Sequence, residues 1–129
     1  MRSHGTFAWN ELATSDVATA KAFYAATLGW TFQEFALPHG PYWVAMSGEQ
    51  LVGGLGGMDT AAVPGTTTST WFAFLEVDEI DTRLTKAVAH GATIVAPAED
   101  VPNVGRCAVL RDPTGAIIGW MTSLASKPE

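Results

Sequence analysis

Residues 7–17 read FAWNELATSDV, and residues 70–80 read TWFAFLEVDEI about 63 positions further along the chain. Each stretch is an apolar, aromatic run that ends in an acidic residue able to cap a helix. A helical stretch follows in both copies, and then a glycine, Gly29 or Gly91, stands where a helix would end. A repeat of this length indicates a domain built from two copies of one supersecondary unit.

The first unit is predicted to hold a strand, a helix and three further strands. Ser15 or Asp16 can cap the helix. Its buried face is predicted from residues at helical spacing, which are Ala20, Phe23, Tyr24, Thr27 and Leu28. The predicted strands cover residues 6–14, 30–36, 42–47 and 50–58.

The second unit repeats this plan. Asp78 can cap its helix, and the predicted buried positions are Ile80, Leu84, Ala87 and Val88. The predicted strands cover residues 70–77, 93–98, 105–111 and 116–122, with a loop at residues 99–104.

Two βαβββ repeats predict the α+β class, with a curled, cup-shaped, eight-stranded mixed sheet and the helices outside. We expect a single domain over residues 1–129, in which unit one spans 6–58, a linker spans 59–69 and unit two spans 70–125. The hollow of such a cup is the expected ligand site.

Composition excludes several classes of partner. The net charge is −6 and the seven Lys and Arg residues are scattered, so nucleic acid is not an expected partner. Cys107 is the one cysteine, which permits no intrachain disulfide. No stretch has the length and apolarity of a membrane span, and residues 1–5 lead into a strand without the apolar run of a secretory signal. A cytoplasmic protein without membrane partners is expected.

A family pattern appears around the first helix and near the closing turn. It consists of Asp16, Phe23-Tyr24, Leu28-Gly29-Trp30, Gly105-Arg106 and Asp112-Pro113-Thr114-Gly115. With these residues the chain resembles the glyoxalase / bleomycin-resistance / extradiol-dioxygenase superfamily, also called the vicinal oxygen chelate fold, from about residue 6 to residue 121. The superfamily includes isomerases, lyases, dioxygenases, thiol transferases and non-enzymatic drug-binding proteins, so the resemblance implies a fold and no single activity.

The resemblance also locates the positions where metal-using members place His, Glu or Gln. In this sequence those positions are predicted at Trp9, Gly53, Phe72 and Gly119. None of these side chains can ligate a metal, so neither a catalytic metal nor another cofactor is expected.

Aromatic and small residues stand in place of metal ligands. The candidate ligand-binding residues are Trp9, Glu11, Trp43, Phe72, Phe74, Arg106 and Trp120. Aromatic walls beside one carboxylate suit a flat or cationic organic ligand, and a guanidinium can anchor an anionic group. The alternative is that the aromatic side chains simply fill the core.

Glu11 is the candidate catalytic residue, as a general base, because burial would raise its pKa. The alternative is a carboxylate paired with Arg106 or Arg111. The leading hypothesis is a homodimeric protein that binds a small organic molecule without a catalytic metal. Two alternatives are a metal-dependent glyoxalase-like lyase, isomerase or dioxygenase with Glu11 among its ligands, and a metal-independent enzyme that uses Glu11 as base.

Overall fold

The computed structural model describes residues 2–58 and 68–124, within which the chain forms eight strands and two helices. In chain order the elements are β1 (Thr6–Thr14), α1 (Val17–Leu28), β2 (Thr31–Leu37), β3 (Gly40–Ser47), β4 (Gln50–Gly57), β5 (Thr70–Glu76), α2 (Ile80–Ala89), β6 (Thr93–Val101), β7 (Gly105–Arg111) and β8 (Ile117–Ser123). The α+β class and the βαβββ order of each repeat are confirmed. The predicted linker lies outside the described residues, except for its last two positions.

One predicted loop is part of a strand. Residues 99–104 were expected to form a loop, but β6 continues to Val101 and pairs Asp100 with Arg106 on β7. The strand accommodates Pro97 because that residue stands at a register shift, where a missing N–H removes no ladder bond.

The chain divides into two compact units, whose boundary falls inside β1. The N-terminal unit comprises residues 9–71, and the C-terminal unit comprises residues 72–129 together with residues 1–8. The first residues join the second repeat through backbone bonding, since the Gly5 N–H donates to the carbonyl of Glu76 over 2.7 Å. In the described part of the chain, neither helix is long and apolar enough to cross a membrane.

The sheet of the N-terminal unit runs β2, β3, β4, β1, with β1 parallel to β4 and the other pairs antiparallel. Leu12 pairs with Leu55, which pairs with Trp43, so these side chains share one face of the sheet. Helix α1 covers this face, since the Lys21 ammonium lies 3.0 Å from the centroid of the Trp43 ring. Leu12 and Leu55 are buried there.

Helix α1 begins as predicted but presents a different face to the sheet. Asp16 caps it, accepting from the Thr19 N–H over 3.0 Å, and Gly29 ends it with φ of 73°. The predicted buried face was wrong in part: Ala20 and Tyr24 are partly buried, but Phe23 is 56% exposed and Leu28 is 57% exposed. The partly buried positions follow another helical stripe, which comprises Val17, Ala20, Lys21 and Tyr24. An apolar pattern does not predict this stripe, because it includes the charged Lys21. Lys21 can face the sheet because its ammonium makes a cation–π contact with an aromatic ring.

The C-terminal unit repeats the topology, with β5 parallel to β8 and the pairs β8–β7 and β7–β6 antiparallel. Its core lies between the sheet and α2 and contains Val77, Ile80, Leu84, Ala108 and Leu110. Val88, predicted to share that face of α2, is 52% exposed.

The predicted cap of α2 was wrong. The N-cap residue is Glu79, with φ of 45° and no side-chain capping bond. Asp78 instead accepts a hydrogen bond from Arg83 Nε over 2.7 Å. That ion pair and hydrogen bond lower the pKa of Asp78.

Candidate functional site

A chain of hydrogen bonds links three side chains on the face of the N-terminal sheet opposite α1. Trp9 and Glu11 alternate with the α1-facing residues of β1, so both point to this second face. The indole Nε1 of Trp9 donates to the Tyr42 hydroxyl over 2.9 Å. The Tyr42 hydroxyl donates to Glu11 Oε1 over 2.8 Å. The direction of the first bond is fixed, because an indole N–H can only donate.

Tyr42 reaches Glu11 from two strands away because β4 carries glycine between them. Gly54 pairs with Glu11 on one side and with Val44 on the other, while Tyr42 pairs with Gly56. A Cβ at Gly54 would overlap the ring and hydroxyl of Tyr42. The tyrosine therefore lies across a strip of sheet that has no side chains.

The register corrects one predicted position by a single residue. Glu11 pairs with Gly54, just as Phe74 pairs with Gly119 in the other unit. The position of the first repeat that matches Gly119 is thus Gly54, whereas Gly53 lies on the opposite face. A shift of one residue along a strand exchanges its faces, so counting along the sequence alone left this ambiguous.

Burial controls the electrostatics of Glu11. Its side chain is 8% exposed, and burial raises its pKa to about 7 although the hydrogen bond from Tyr42 opposes the change. Near neutral pH the carboxyl group is therefore close to the midpoint of its titration. The predicted alternative of an arginine partner is wrong, because Arg106 pairs with Asp81 and Asp100 and Arg111 donates to the Gly115 carbonyl.

The second oxygen of Glu11 has no hydrogen-bond partner among residues 2–58 and 68–124. Oε1 accepts from Tyr42, and Oε2 accepts from none of residues 2–58 and 68–124. Every fully enclosed side-chain oxygen or nitrogen in those ranges has a hydrogen-bond partner, so Oε2 retains some exposure. One oxygen of the carboxyl group is held in place, and the other can meet a proton donor from outside.

The structure brings only part of the predicted site together. Trp9 and Glu11 meet through Tyr42. Trp43 lies on the opposite face, below Lys21, because it is one residue from Tyr42 on the same strand. Trp43, predicted among the ligand-binding residues, therefore does not lie beside Glu11.

The remaining predicted residues belong to the C-terminal unit. Phe72 and Phe74 pack on each other with ring centroids 5.4 Å apart, and the Phe74 ring lies over Gly119. Trp120 packs into the core beside α2, on the other face from Phe74, so the expectation that it faces the cavity was wrong. Arg106 forms a bidentate pair with Asp81, at 3.0 Å for both bonds.

Tyr42 is the residue of this candidate site that sequence reasoning missed. The available signal was a tyrosine on a strand that neighbours a glycine-rich strand, since glycine lets a long side chain cross. Which of the adjacent Tyr42 and Trp43 faces the site depends on strand register, and composition does not reveal it.

The donor groups do not fit a divalent metal. Metal sites in proteins need several convergent oxygen, nitrogen or sulfur ligands. Within the described ranges no three His, Cys, Asp or Glu side chains converge in a way that could hold an ion. Glu11 is surrounded instead by an indole, a phenol and glycine backbone.

Comparison with known proteins places the chain in one family. Residues 6–119 match the model of the Glyoxalase/Bleomycin resistance protein/Dioxygenase superfamily. The Mycobacterium bovis protein named "Putative glyoxylase CFP32" is 40% identical over 114 residues, covering 88% of this chain and 42% of that protein. The anthracycline biosynthesis protein DnrV of Streptomyces peucetius is 28% identical over 127 residues, covering 87% of this chain and 45% of that protein. The chain thus spans less than half the length of these relatives.

A solved structure supports the same fold. Methylmalonyl-CoA epimerase from Mycobacterium tuberculosis superimposes with a TM-score of 0.61 at 13% identity, covering 98% of this chain and 97% of that one. At this identity the likeness concerns the fold alone.

Proposed function

We propose, given that the chain belongs to the Glyoxalase/Bleomycin resistance protein/Dioxygenase superfamily, that it binds a small organic molecule beside Glu11 without a catalytic metal. One observation carries this proposal: a buried carboxyl group has one oxygen held by Tyr42 and the other without a hydrogen-bond partner among the described residues. A buried acid without a charged partner is costly for a fold to keep, which favours a role in recognition or proton transfer.

The surroundings of Glu11 suit an organic ligand. Trp9 is half-buried and presents an aromatic ring beside the carboxyl group. Aromatic rings contribute stacking and apolar contact area, while a few placed polar groups set orientation. The relatives named for anthracycline biosynthesis support an organic ligand for this family branch.

We exclude a catalytic metal because the side chains at the expected ligand positions cannot coordinate one. Of the four positions that carry ligands in metal-using relatives, this chain has Trp9, Gly54, Phe72 and Gly119, none of which can coordinate through its side chain. Stoichiometric zinc, nickel, iron or manganese in protein purified without chelators would contradict this part of the proposal.

The binding role is tested by tryptophan fluorescence during titration with a panel of aromatic and cationic organic compounds. We expect Glu11→Gln to weaken binding of a panel compound at least tenfold, because charge-assisted bonding to Oε2 is lost. Glu34→Gln, which changes an exposed carboxylate on β2, is the matched control and should leave the affinity unchanged.

The reporter of that titration can be identified with two tryptophan variants. Trp9→Phe should remove the fluorescence response, whereas Trp43→Phe should preserve it, because Trp43 lies on the other face of the sheet. If all panel compounds bind Glu11→Gln as well as wild type, the site is elsewhere and the proposal fails.

A second candidate function is proton transfer with Glu11 as general base. The pKa of about 7 favours it, since a base is most effective when its pKa lies near the working pH. A substrate with an acidic C–H or O–H group at Oε2 would give a rate that rises with pH through about 7 in wild type. Glu11→Gln would abolish turnover while Glu34→Gln would not, and a rate independent of Glu11 would reject this candidate.

We further propose that the protein forms a homodimer. The support is the exposed apolar surface of α1, where Phe23 and Leu28 are both more than half exposed. Apolar patches on this scale are typical of association surfaces. Analytical ultracentrifugation tests the proposal, and a concentration-independent monomer would reject it.

A further inference from the structure

We infer that Tyr42 occupies the place of the ligand's own hydroxyaryl group, so that the ligand is a phenol-like compound whose hydroxyl replaces that of Tyr42 between Trp9 and Glu11. This inference rests on the proposed function, because it names the class of molecule that the Glu11 site binds. Two hydrogen bonds, one from Trp9 and one to Glu11, meet at the hydroxyl oxygen of Tyr42.

The hydrogen-bond pattern selects a hydroxyl group. While Glu11 is ionised, the group between Trp9 and Glu11 must accept from the indole N–H, at 2.9 Å, and donate to Oε1, at 2.8 Å. A hydroxyl does both with one oxygen, whereas an ammonium cannot accept and a carbonyl cannot donate. With Glu11 ionised, the site is therefore complementary to a hydroxyl group.

The floor below Tyr42 selects a flat ring. Adjacent strands lie about 4.8 Å apart, so a side chain from β3 must cross β4 to approach β1. Tyr42 crosses where Gly54 and Gly56 leave the sheet without side chains. A planar aromatic ring fits this floor, and a branched side chain at Gly54 would fill the same space.

Exchange of Tyr42 for a ligand conserves hydrogen bonds. If Tyr42 left without replacement, the Trp9 N–H and the Glu11 carboxyl group would each lose a partner, which is unfavourable at a largely buried position. A hydroxyaryl ligand restores both of these bonds. Tyr42 is half-buried and lies on the face that α1 does not cover.

The corresponding position of the C-terminal unit is filled in another way. There the Phe74 ring lies over Gly119, at 6% exposure and without a hydroxyl group. A tightly buried phenylalanine offers nothing for a ligand's hydroxyl to replace. Of these two rings, only that of Tyr42, in the N-terminal unit, carries a hydroxyl group that a ligand could replace.

The test compares p-cresol, which copies the tyrosine side chain, with toluene, which lacks the hydroxyl, and p-toluidine, whose amine donates but accepts poorly. The proteins are wild type and Tyr42→Phe, whose ring makes no hydrogen bond to Trp9 or Glu11 and so competes less with a ligand for the place over Gly54. The matched control is Tyr24→Phe, because the Tyr24 hydroxyl accepts from Trp71 Nε1 over the same 2.9 Å elsewhere in the unit. Binding is followed by the NMR signal of the Trp9 indole N–H, identified from its absence in Trp9→Phe.

We expect p-cresol to bind Tyr42→Phe at least tenfold more tightly than wild type, and Tyr24→Phe to behave like wild type. We expect toluene and p-toluidine to bind Tyr42→Phe at least tenfold more weakly than p-cresol. Equal or weaker p-cresol binding by Tyr42→Phe, no p-cresol binding, or equal binding of toluene would each overturn the inference.

These outcomes are separable from failure of the proposed function. If panel compounds without a hydroxyl bind wild type in a manner that Glu11→Gln abolishes, small-molecule binding at Glu11 stands and only the ligand class is wrong. If Glu11→Gln affects the binding of no compound, p-cresol included, the proposed function fails as well.

Discussion

Replacing Glu11 with glutamine should change how the stability of the protein depends on pH. Folding raises the pKa of Glu11 from 4.5 to about 7, through burial. Between these two values the unfolded chain releases the Glu11 proton while the folded chain keeps it. The folded state then binds more protons than the unfolded state, so the free energy of unfolding falls as pH rises through this window.

The magnitude follows from the two pKa values. At about 1.4 kcal/mol for each pKa unit, a rise from 4.5 to about 7 corresponds to about 3 kcal/mol across the whole window. Between pH 5 and pH 8 we expect wild type to lose about 2 to 3 kcal/mol relative to Glu11→Gln, because the unfolded chain is already mostly ionised at the lower limit. The glutamine carbonyl can still accept from Tyr42, so the variant retains that hydrogen bond.

The assay is urea unfolding of both proteins at several pH values from 5 to 8, with Glu34→Gln as the exposed control. Other titrating groups affect wild type and variant alike, so the difference between the two curves isolates Glu11. If the free energy of unfolding depends on pH in the same way for wild type and Glu11→Gln, folding leaves the Glu11 pKa unchanged, and burial does not raise it.

Three further substitutions test separate features of the structure. Gly54→Ala should destabilise the fold by about 1 to 3 kcal/mol in urea unfolding, because its Cβ overlaps Tyr42, while Gly57→Ala, which meets open space, should be close to neutral. Asp16→Ala should cost about 1 kcal/mol by removing the N-cap of α1, and an unchanged unfolding midpoint would show that this cap contributes nothing. Phe23→Glu should shift the protein toward monomer in sedimentation, because it places a charge on the exposed apolar surface of α1; an unchanged dimer would place the interface elsewhere.

The repeat made the element order predictable. Apolar runs, helix caps and glycine stops recur in both copies, and each acts locally, so the βαβββ order and the Asp16 cap follow from neighbouring residues. The orientation of α1 did not follow in the same way. Its alanines give apolar spacing on several faces, and the stripe that meets the sheet includes the charged Lys21.

The candidate site was predictable in part, for a different reason. Trp9 and Glu11 share a strand and alternate by two, so sequence spacing places them on one face. Tyr42 comes from a strand more than 30 positions away in the chain, and only the pairing of β3 with β4 decides whether it or Trp43 reaches Glu11. Strand pairing also decides that Gly54, and not the neighbouring Gly53, is the residue that matches Gly119.

The most direct test of the account is a carbon-13 NMR titration of the Glu11 carboxyl group, identified by its absence in Glu11→Gln, with and without p-cresol. We predict a titration midpoint of the Glu11 carboxyl group at about 7 in the free protein and a displaced midpoint when p-cresol is bound. A midpoint near 4.5 that p-cresol does not move would contradict it.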